Sequence, residues 1–105
     1  MAAVYRAAQI TLTLAATNYS LLTLLRAVDS GCPSTCRELQ IQGTNGNSDV
    51  VKVGDANLAL NNYGFELAYL ESRTWRGKDD TDINIGLRYV RSETAGQKLN
   101  VDMEM

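Results

Sequence analysis

The chain has 105 residues and a net charge of −2, with 45% hydrophobic and 21% charged residues, which is typical of one globular domain. A general nucleic-acid binder needs an excess of Lys and Arg to replace counterions, so the composition argues against nucleic acid as a partner. The apolar run Leu24-Leu25 is interrupted at once by Arg26, so no transmembrane span and no membrane partner are expected.

The first segment, residues 1–8, is rich in Ala and weakly patterned. We predict a loose N-terminal arm or a short edge segment here, followed by a single β-sandwich domain over residues 9–105. This start carries one Arg and lacks the apolar core of a signal peptide, so synthesis and folding in a cytoplasm are expected. Apolar and polar residues alternate over residues 9–14 and predict the first strand.

Residues 19–28 change the period of the pattern. Leucines and Val28 recur there at helical spacing, which predicts a helix of about three turns with one apolar side on a sheet. Thr17 or Asn18 could cap its start. Gly31, which tolerates positive φ, and Pro33, which cannot continue a helix, would end it. The alternative interpretation of this segment is another strand.

The middle of the chain reads as short strands separated by turns. Alternation predicts a strand over residues 36–42, and the pair Asn45-Gly46 predicts a hairpin that returns over residues 50–53. Shorter apolar runs follow at residues 58–60 and 65–68. Turn signals every 8–12 residues are typical of a sandwich or a jelly roll.

The last third of the chain has the clearest pattern. Ile83, Ile85, Leu87 and Tyr89 alternate with polar residues or glycine, and a second alternating run follows the turn at residues 92–97 and extends to Met105. Period-2 alternation predicts two strands, each with one buried face. The predicted fold class is therefore mainly β, an antiparallel β-sandwich or jelly-roll-like fold with one short α-helix near residues 19–28.

Two cysteines, Cys32 and Cys36, could form half of a zinc site, but the chain contains no other Cys and no His, and a structural zinc needs four ligands. A disulfide is geometrically possible and is disfavoured in a reducing cytoplasm. We predict two free thiols, with Cys32 in a turn and Cys36 at the start of a strand. No metal and no cofactor are predicted.

The acidic residues do not form a recognisable catalytic or calcium pattern. Asp79, Asp80 and Asp82 resemble the start of a calcium loop without the bidentate acid that should follow, so a solvated hairpin loop is the preferred interpretation. A carboxylate pair could in principle arise from Glu66, Glu71 and Glu93, but nothing in the sequence brings two of them together. We predict that the protein is not an enzyme.

Residues 69–81 break the alternation and combine aromatic and basic residues beside a short acidic run. Trp, Tyr and Arg commonly anchor protein interfaces. We therefore predict an interface surface formed by Tyr69, Arg73, Trp75 and Arg76. Trp75 could also be a core residue or a platform for stacking a sugar.

Six segments occur in a characteristic order and together span residues 19–101, most of the chain: 19–26, 36–42 with the turn 45–47, 53–57, 62–67, 87–92 and 94–101. In this order of segments the chain resembles small bacteriophage virion proteins that decorate or cement the capsid. Residues 68–80 depart from the resemblance because they are longer and more charged than the compact turn and strand expected there.

This resemblance implies a β-sandwich or jelly-roll module without catalytic residues. It also implies a structural role in the virion: decoration or cementing of the phage head across capsid subunits, with the major capsid protein or other virion proteins as partners and with self-association. The alternatives are a tail or head–tail connector component, or a host-glycan or receptor-binding module, for which the neighbouring Asn61, Asn62 and Tyr63 are candidates.

Overall fold

The computed structural model describes residues 5–59, 61–77 and 82–105. These residues are mainly β, with 48% strand and 11% helix. In chain order the elements are β1 (Tyr5–Leu12), β2 (Tyr19–Ser20), α1 (Leu21–Val28), β3 (Thr35–Cys36), β4 (Glu38–Gly43), β5 (Val51–Gly54), β6 (Phe65–Leu67), β7 (Ser72–Arg76), β8 (Ile83–Asn84), a 3₁₀ turn (Ile85–Leu87), β9 (Tyr89–Arg91) and β10 (Gln97–Glu104).

The strands form two four-stranded antiparallel sheets and one small ladder. The first sheet has the order β1-β10-β4-β7, the second has the order β2-β9-β5-β6, and β3 pairs with β8. Inward residues of both sheets join one hydrophobic cluster, which includes Ile41 and Val101 of the first sheet and Val53 and Val90 of the second. The predicted antiparallel β-rich architecture with one short helix is confirmed, and its two sheets are compatible with a β-sandwich.

The helix prediction is also confirmed, although α1 begins at Leu21. Ser20 caps it instead of Thr17 or Asn18: the Ser20 side chain accepts a hydrogen bond from the Thr23 backbone amide. Residues 21–28 are helical, which excludes the strand alternative for them, and Leu21 and Leu25 on one face of α1 are fully buried. In the described part of the chain, no helix is long and apolar enough to cross a bilayer.

The first strand begins earlier than predicted, because residues 5–8 continue β1 along β10, from the pair Tyr5↔Glu104 to the pair Ala8↔Val101. They therefore match the edge-segment alternative rather than a loose arm; residues 1–4 lie outside the described residues. The sequence pattern fails here because Arg6 occupies an inward position and forms an ion pair with Asp29 at the end of α1. At the other end β1 stops at Leu12, and Leu14 is exposed.

The predicted hairpin at Asn45-Gly46 is wrong. The strands on either side of it, β4 and β5, belong to different sheets, so residues 44–50 cross from one sheet to the other. Positive φ occurs among the described residues at Ala16, Leu70 and Gly96, and neither Asn45 nor Gly46 shares it. Gly31 does not adopt it either.

The predicted alternation over residues 83–89 is correct only in its first half. Ile83 and Ile85 are buried, but Leu87 is 67% exposed and Val90 is fully buried. The 3₁₀ turn Ile85–Leu87 shifts the side-chain parity by one residue between β8 and β9. A strict period of two cannot continue through such a turn, because successive residues then no longer alternate between the faces.

Candidate functional site

The two sides of the molecule at which the sheets end in edge strands are covered differently. At one side, α1 packs against the edge strands β1 and β2. At the other side, the edge strands β6 and β7 face each other through Phe65 and Trp75. Both rings are partly buried and pack against the core cluster, so they cover the core where the sheets are open.

Two arginines extend this aromatic pair into a continuous row of four side chains. The ring centroids of Phe65 and Trp75 lie 5.2 Å apart at 46°. The Arg73 guanidinium lies 4.7 Å from the Phe65 centroid, and the Arg88 guanidinium lies 5.1 Å from the Trp75 centroid. These distances are typical of cation–π contacts. We call Phe65, Arg73, Trp75 and Arg88 the arginine–aromatic cluster.

Strand register explains why this cluster forms. In the pairing of β7 with β4, Trp75 lies opposite Leu39 and Arg73 lies opposite Ile41. Since Leu39 and Ile41 are fully buried, both β7 side chains are on the inward parity of the sheet. An inward Arg at a sheet edge can lay its guanidinium on an aromatic face while its charge stays near water; Arg73 remains exposed.

The four residues predicted for the interface therefore divide between different surfaces. Arg73 and Trp75 belong to the cluster. Arg76 lies opposite Glu38 on the other face of the first sheet, with its Nε 3.2 Å from Glu38 Oε2. Tyr69 is 62% exposed and bridges to Gly43, which places it at the opposite end of β7 from Trp75.

Within residues 69–81, which break the alternation in the sequence, Ser72–Arg76 form the regular edge strand β7, and most of its residues are exposed. The alternation is hidden because only one face of an edge strand is partly buried, and its inward positions carry Arg73 and Trp75. Asp79 and Asp80, part of the predicted acidic hairpin loop, lie outside the described residues. The described flanks of that loop, β7 and β8, do not pair with each other.

Sequence reasoning missed Phe65 and Arg88. Phe65 lies in a predicted strand, and its partner in the other sheet could not be known without the sheet order. Strict alternation from Ile83 onward would place Arg88 on the exposed face, but the 3₁₀ turn changes which residues face inward before β9 begins. Composition offered one signal for the aromatic pair. Five of the chain's seven aromatic residues are Tyr, so the chain has one Phe and one Trp, and these two fully apolar or largely apolar rings are the ones in contact.

The carboxylates considered for catalysis each have a separate partner. Glu66 hydrogen-bonds to Tyr63, which raises the pKa of that phenol. Glu71 Oε1 accepts a hydrogen bond from the Ala68 amide at 3.0 Å. Glu93 lies 2.7 Å from Arg91 Nε and 3.7 Å from Lys52 Nζ, and the Arg91 contact is the main cause of a lowered Glu93 pKa.

Both cysteines carry free, buried thiols. Cys36 lies in β3, and Cys32 lies in the segment that joins α1 to β3. Burial raises the pKa of both thiols, that of Cys36 to about 11. Within residues 5–59, 61–77 and 82–105, no group of three or more His, Cys, Asp or Glu side chains is arranged to hold a metal ion.

Comparison of the chain with protein-family models, with curated proteins and with solved structures found no match.

Proposed function

We propose that the chain is a structural protein of a bacteriophage virion: a decoration or cement protein that binds across capsid subunits and stabilises the phage head. It is made in the host cytoplasm, becomes part of the virion and performs no catalysis. The observation that carries the proposal is the strand order of the two sheets, together with the family resemblance of the sequence.

The strand order is that of a rolled antiparallel ribbon. Strands from the first half of the chain pair with strands from the second half in reverse order: β1 with β10, β2 with β9, β3 with β8, β4 with β7 and β5 with β6. Rolling this ribbon brings β4 beside β10 and β5 beside β9. This pairing supports the proposal that the two four-stranded sheets form a jelly roll, an architecture that recurs in viral capsid proteins and lectins.

A fold alone does not define a function, so the docking surface is a second, independent part of the proposal. The arginine–aromatic cluster combines the side chains that most often carry binding energy at interfaces. Its two guanidiniums are already placed by the rings beneath them, which reduces the side-chain entropy lost on binding. Positive charge on this side favours an acidic patch on the major capsid protein.

Binding of this kind stabilises the shell by mass action. A protein that binds only the assembled shell lowers the free energy of that state by RT ln(1 + [L]/Kd), or roughly 2.7 kcal/mol per site at 100 times Kd. Many copies then make expansion or loss of capsid subunits less favourable.

The test is cosedimentation of the purified chain with phage particles that are produced without it. We expect binding to the head that saturates at a fixed number of copies per particle. The double variant Arg73→Ala/Arg88→Ala should weaken binding roughly tenfold or more. Lys98→Ala is the matched control: it removes an exposed cation from β10, outside the cluster, and should bind like the parent.

Binding to purified tails instead of heads would favour the alternative of a tail or head–tail connector component. Failure to bind either part of the particle would overturn the virion proposal. Equal binding by the double variant and the parent would remove the cluster from the docking surface and leave the virion role standing. Self-association is tested in the same preparations by sedimentation velocity of the free chain.

A further inference from the structure

The outer face of the first sheet has a shallow trough that the proposed capsid contact does not use. Its volume is about 470 Å³, within the range of roughly 300–1,000 Å³ that is usual for ligand sites. Side chains from three neighbouring strands line it: Ala7 and Gln9 from β1, Asn100 and Asp102 from β10, and Gln40 and Gln42 from β4.

Strand register arranges these side chains in two rows across the sheet. Gln9, Asn100 and Gln42 form one row, and Ala7, Asp102 and Gln40 form the next. Rows on one face of a sheet are about 6.8 Å apart, and neighbouring strands are about 4.8 Å apart. The small Ala7 side chain leaves space beside the polar ones and contributes to the depth of the trough.

Much of the hydrogen-bonding capacity in these rows is unused. Gln9 Nε2 donates to Asn100 Oδ1 at 3.1 Å, and Gln42 Nε2 donates to the Leu70 carbonyl at 3.2 Å. Among the residues that the structure describes, this leaves the Asn100 amide donors and the Gln9 and Gln42 carbonyls available. The Gln40 carboxamide makes no side-chain hydrogen bond within the described part of the chain.

We propose that this trough binds a neutral oligosaccharide. Carboxamides present both donors and acceptors, as sugar hydroxyl groups do, so each can bind a hydroxyl in either sense. Asp102 is the single charged side chain among the described lining residues, and a carboxylate accepts hydrogen bonds from hydroxyls but repels anions. Tyr5, which is 66% exposed, precedes Ala7 on the same face and supplies a ring on which a sugar can stack.

This site is distinct from the one suggested by the run of Asn61, Asn62 and Tyr63. There, Asn62 Nδ2 already donates to the Asn57 carbonyl at 2.8 Å, and Tyr63 is hydrogen-bonded to Glu66. The neighbouring cavity is also smaller, at about 250 Å³. The unused carboxamides lie instead on the outer face of the first sheet, whereas Arg73 and Trp75 of the arginine–aromatic cluster lie on its inward face.

The test is a titration of the full-length ¹⁵N-labelled chain, followed in ¹H–¹⁵N spectra. The probes are maltohexaose, cellohexaose, laminarihexaose and N-acetylchitohexaose, with a galacturonic acid hexamer as the anionic control. We expect at least one neutral probe to cause saturable shifts at millimolar concentration, confined to β1, β4 and β10 and including carboxamide signals of the trough. The anionic probe should cause none.

Two variants separate the trough from other surfaces. Gln40→Ala should weaken binding of the active probe roughly three- to tenfold, because one or two hydrogen bonds are lost. Asn61→Ala removes an exposed carboxamide elsewhere and should bind like the parent. The spectra also show whether each variant is folded.

Absence of saturable shifts with every neutral probe would overturn the proposal, as would shifts outside the three strands. Stronger binding of the anionic probe would contradict the assigned ligand class. Shifts of trough signals with protein concentration alone would show that a second copy covers this face, which also overturns it. None of these outcomes depends on capsid binding.

Discussion

Replacing Trp75 by Ala should lower both the free energy of unfolding and the affinity for the capsid, and the two losses can be measured separately. The indole is enclosed on one side by Phe65, at 5.2 Å between centroids, and on another by the Arg88 guanidinium at 5.1 Å. It also packs against the hydrophobic core. Truncation therefore removes core contact, one aromatic pair and one cation–π contact together.

The magnitude follows from these contacts. A fully enclosed aromatic side chain buries about 150–250 Å², and the partly exposed Trp75 buries roughly 100–150 Å² on the same scale. At about 25 cal/mol per Å², this is roughly 2.5–4 kcal/mol, an upper value because the unfolded chain is not fully extended. We therefore expect Trp75→Ala to lower the free energy of unfolding by about 3 kcal/mol, and Tm by roughly 12–24 °C.

Urea and thermal unfolding, followed by circular dichroism, measure this loss in the free protein. Arg88→Ala is the matched control: it removes only the cation and should cost about 0.5–1 kcal/mol. Capsid binding is then measured at a temperature where every variant is folded. A loss of stability below about 1 kcal/mol would refute the packing argument, and unchanged binding by folded Trp75→Ala would assign this residue to the core alone.

Three further predictions concern other parts of the chain. Leu25→Asp places an unpaired charge in the core and should abolish folding, as seen by loss of the cooperative melt, whereas Thr23→Asp on the exposed side of α1 should melt near the parent; cooperative melting of Leu25→Asp at the parental temperature would contradict this packing. The Cys36 thiol has its pKa raised to about 11 by burial, so a thiol reagent at pH 8 should modify it slowly in the native protein and quickly in urea, and rapid native modification would oppose this expectation. Thr94 Oγ1 donates a hydrogen bond of 2.7 Å to Asp49 Oδ2, and this bond lowers the pKa of the Asp49 carboxyl. The stability that the bond contributes is therefore fully present above the ordinary Asp pKa of 3.8 and is lost as the pH falls through the lower pKa of the folded protein. The destabilisation caused by Thr94→Val should shrink over that acid range, and a pH-independent difference in stability would disprove the linkage.

Strands with strong alternation were predictable because each has one buried and one exposed face. Residues 98–105 are an example, since every predicted inward residue from Leu99 to Met103 is buried. Connections were not predictable in the same way. The Asn45-Gly46 pair suggests a local hairpin, but the chain crosses between sheets there, and only long-range pairing decides between these paths.

The candidate site shows the same limit. Residue type alone selected Arg73 and Trp75, because these side chains are common at interfaces. Their grouping with Phe65 depends on which edge strands face each other, and their grouping with Arg88 depends on a parity shift in a 3₁₀ turn. Tyr69 and Arg76 are close to Trp75 in sequence, but strand direction and alternation place them elsewhere.

The ribbon order has a consequence for folding kinetics. Among the strands in the described part of the chain, β5 and β6 are the only paired ones joined by a short connection, residues 55–64. Each successive pair encloses a longer stretch of chain, up to β1 with β10. Because closing a longer loop costs more entropy, strand pairing that starts at residues 51–67 and proceeds outward has the lowest entropic cost. The two ends of the chain then meet last, and refolding should be slow for a domain of this size, as in other folds with high contact order.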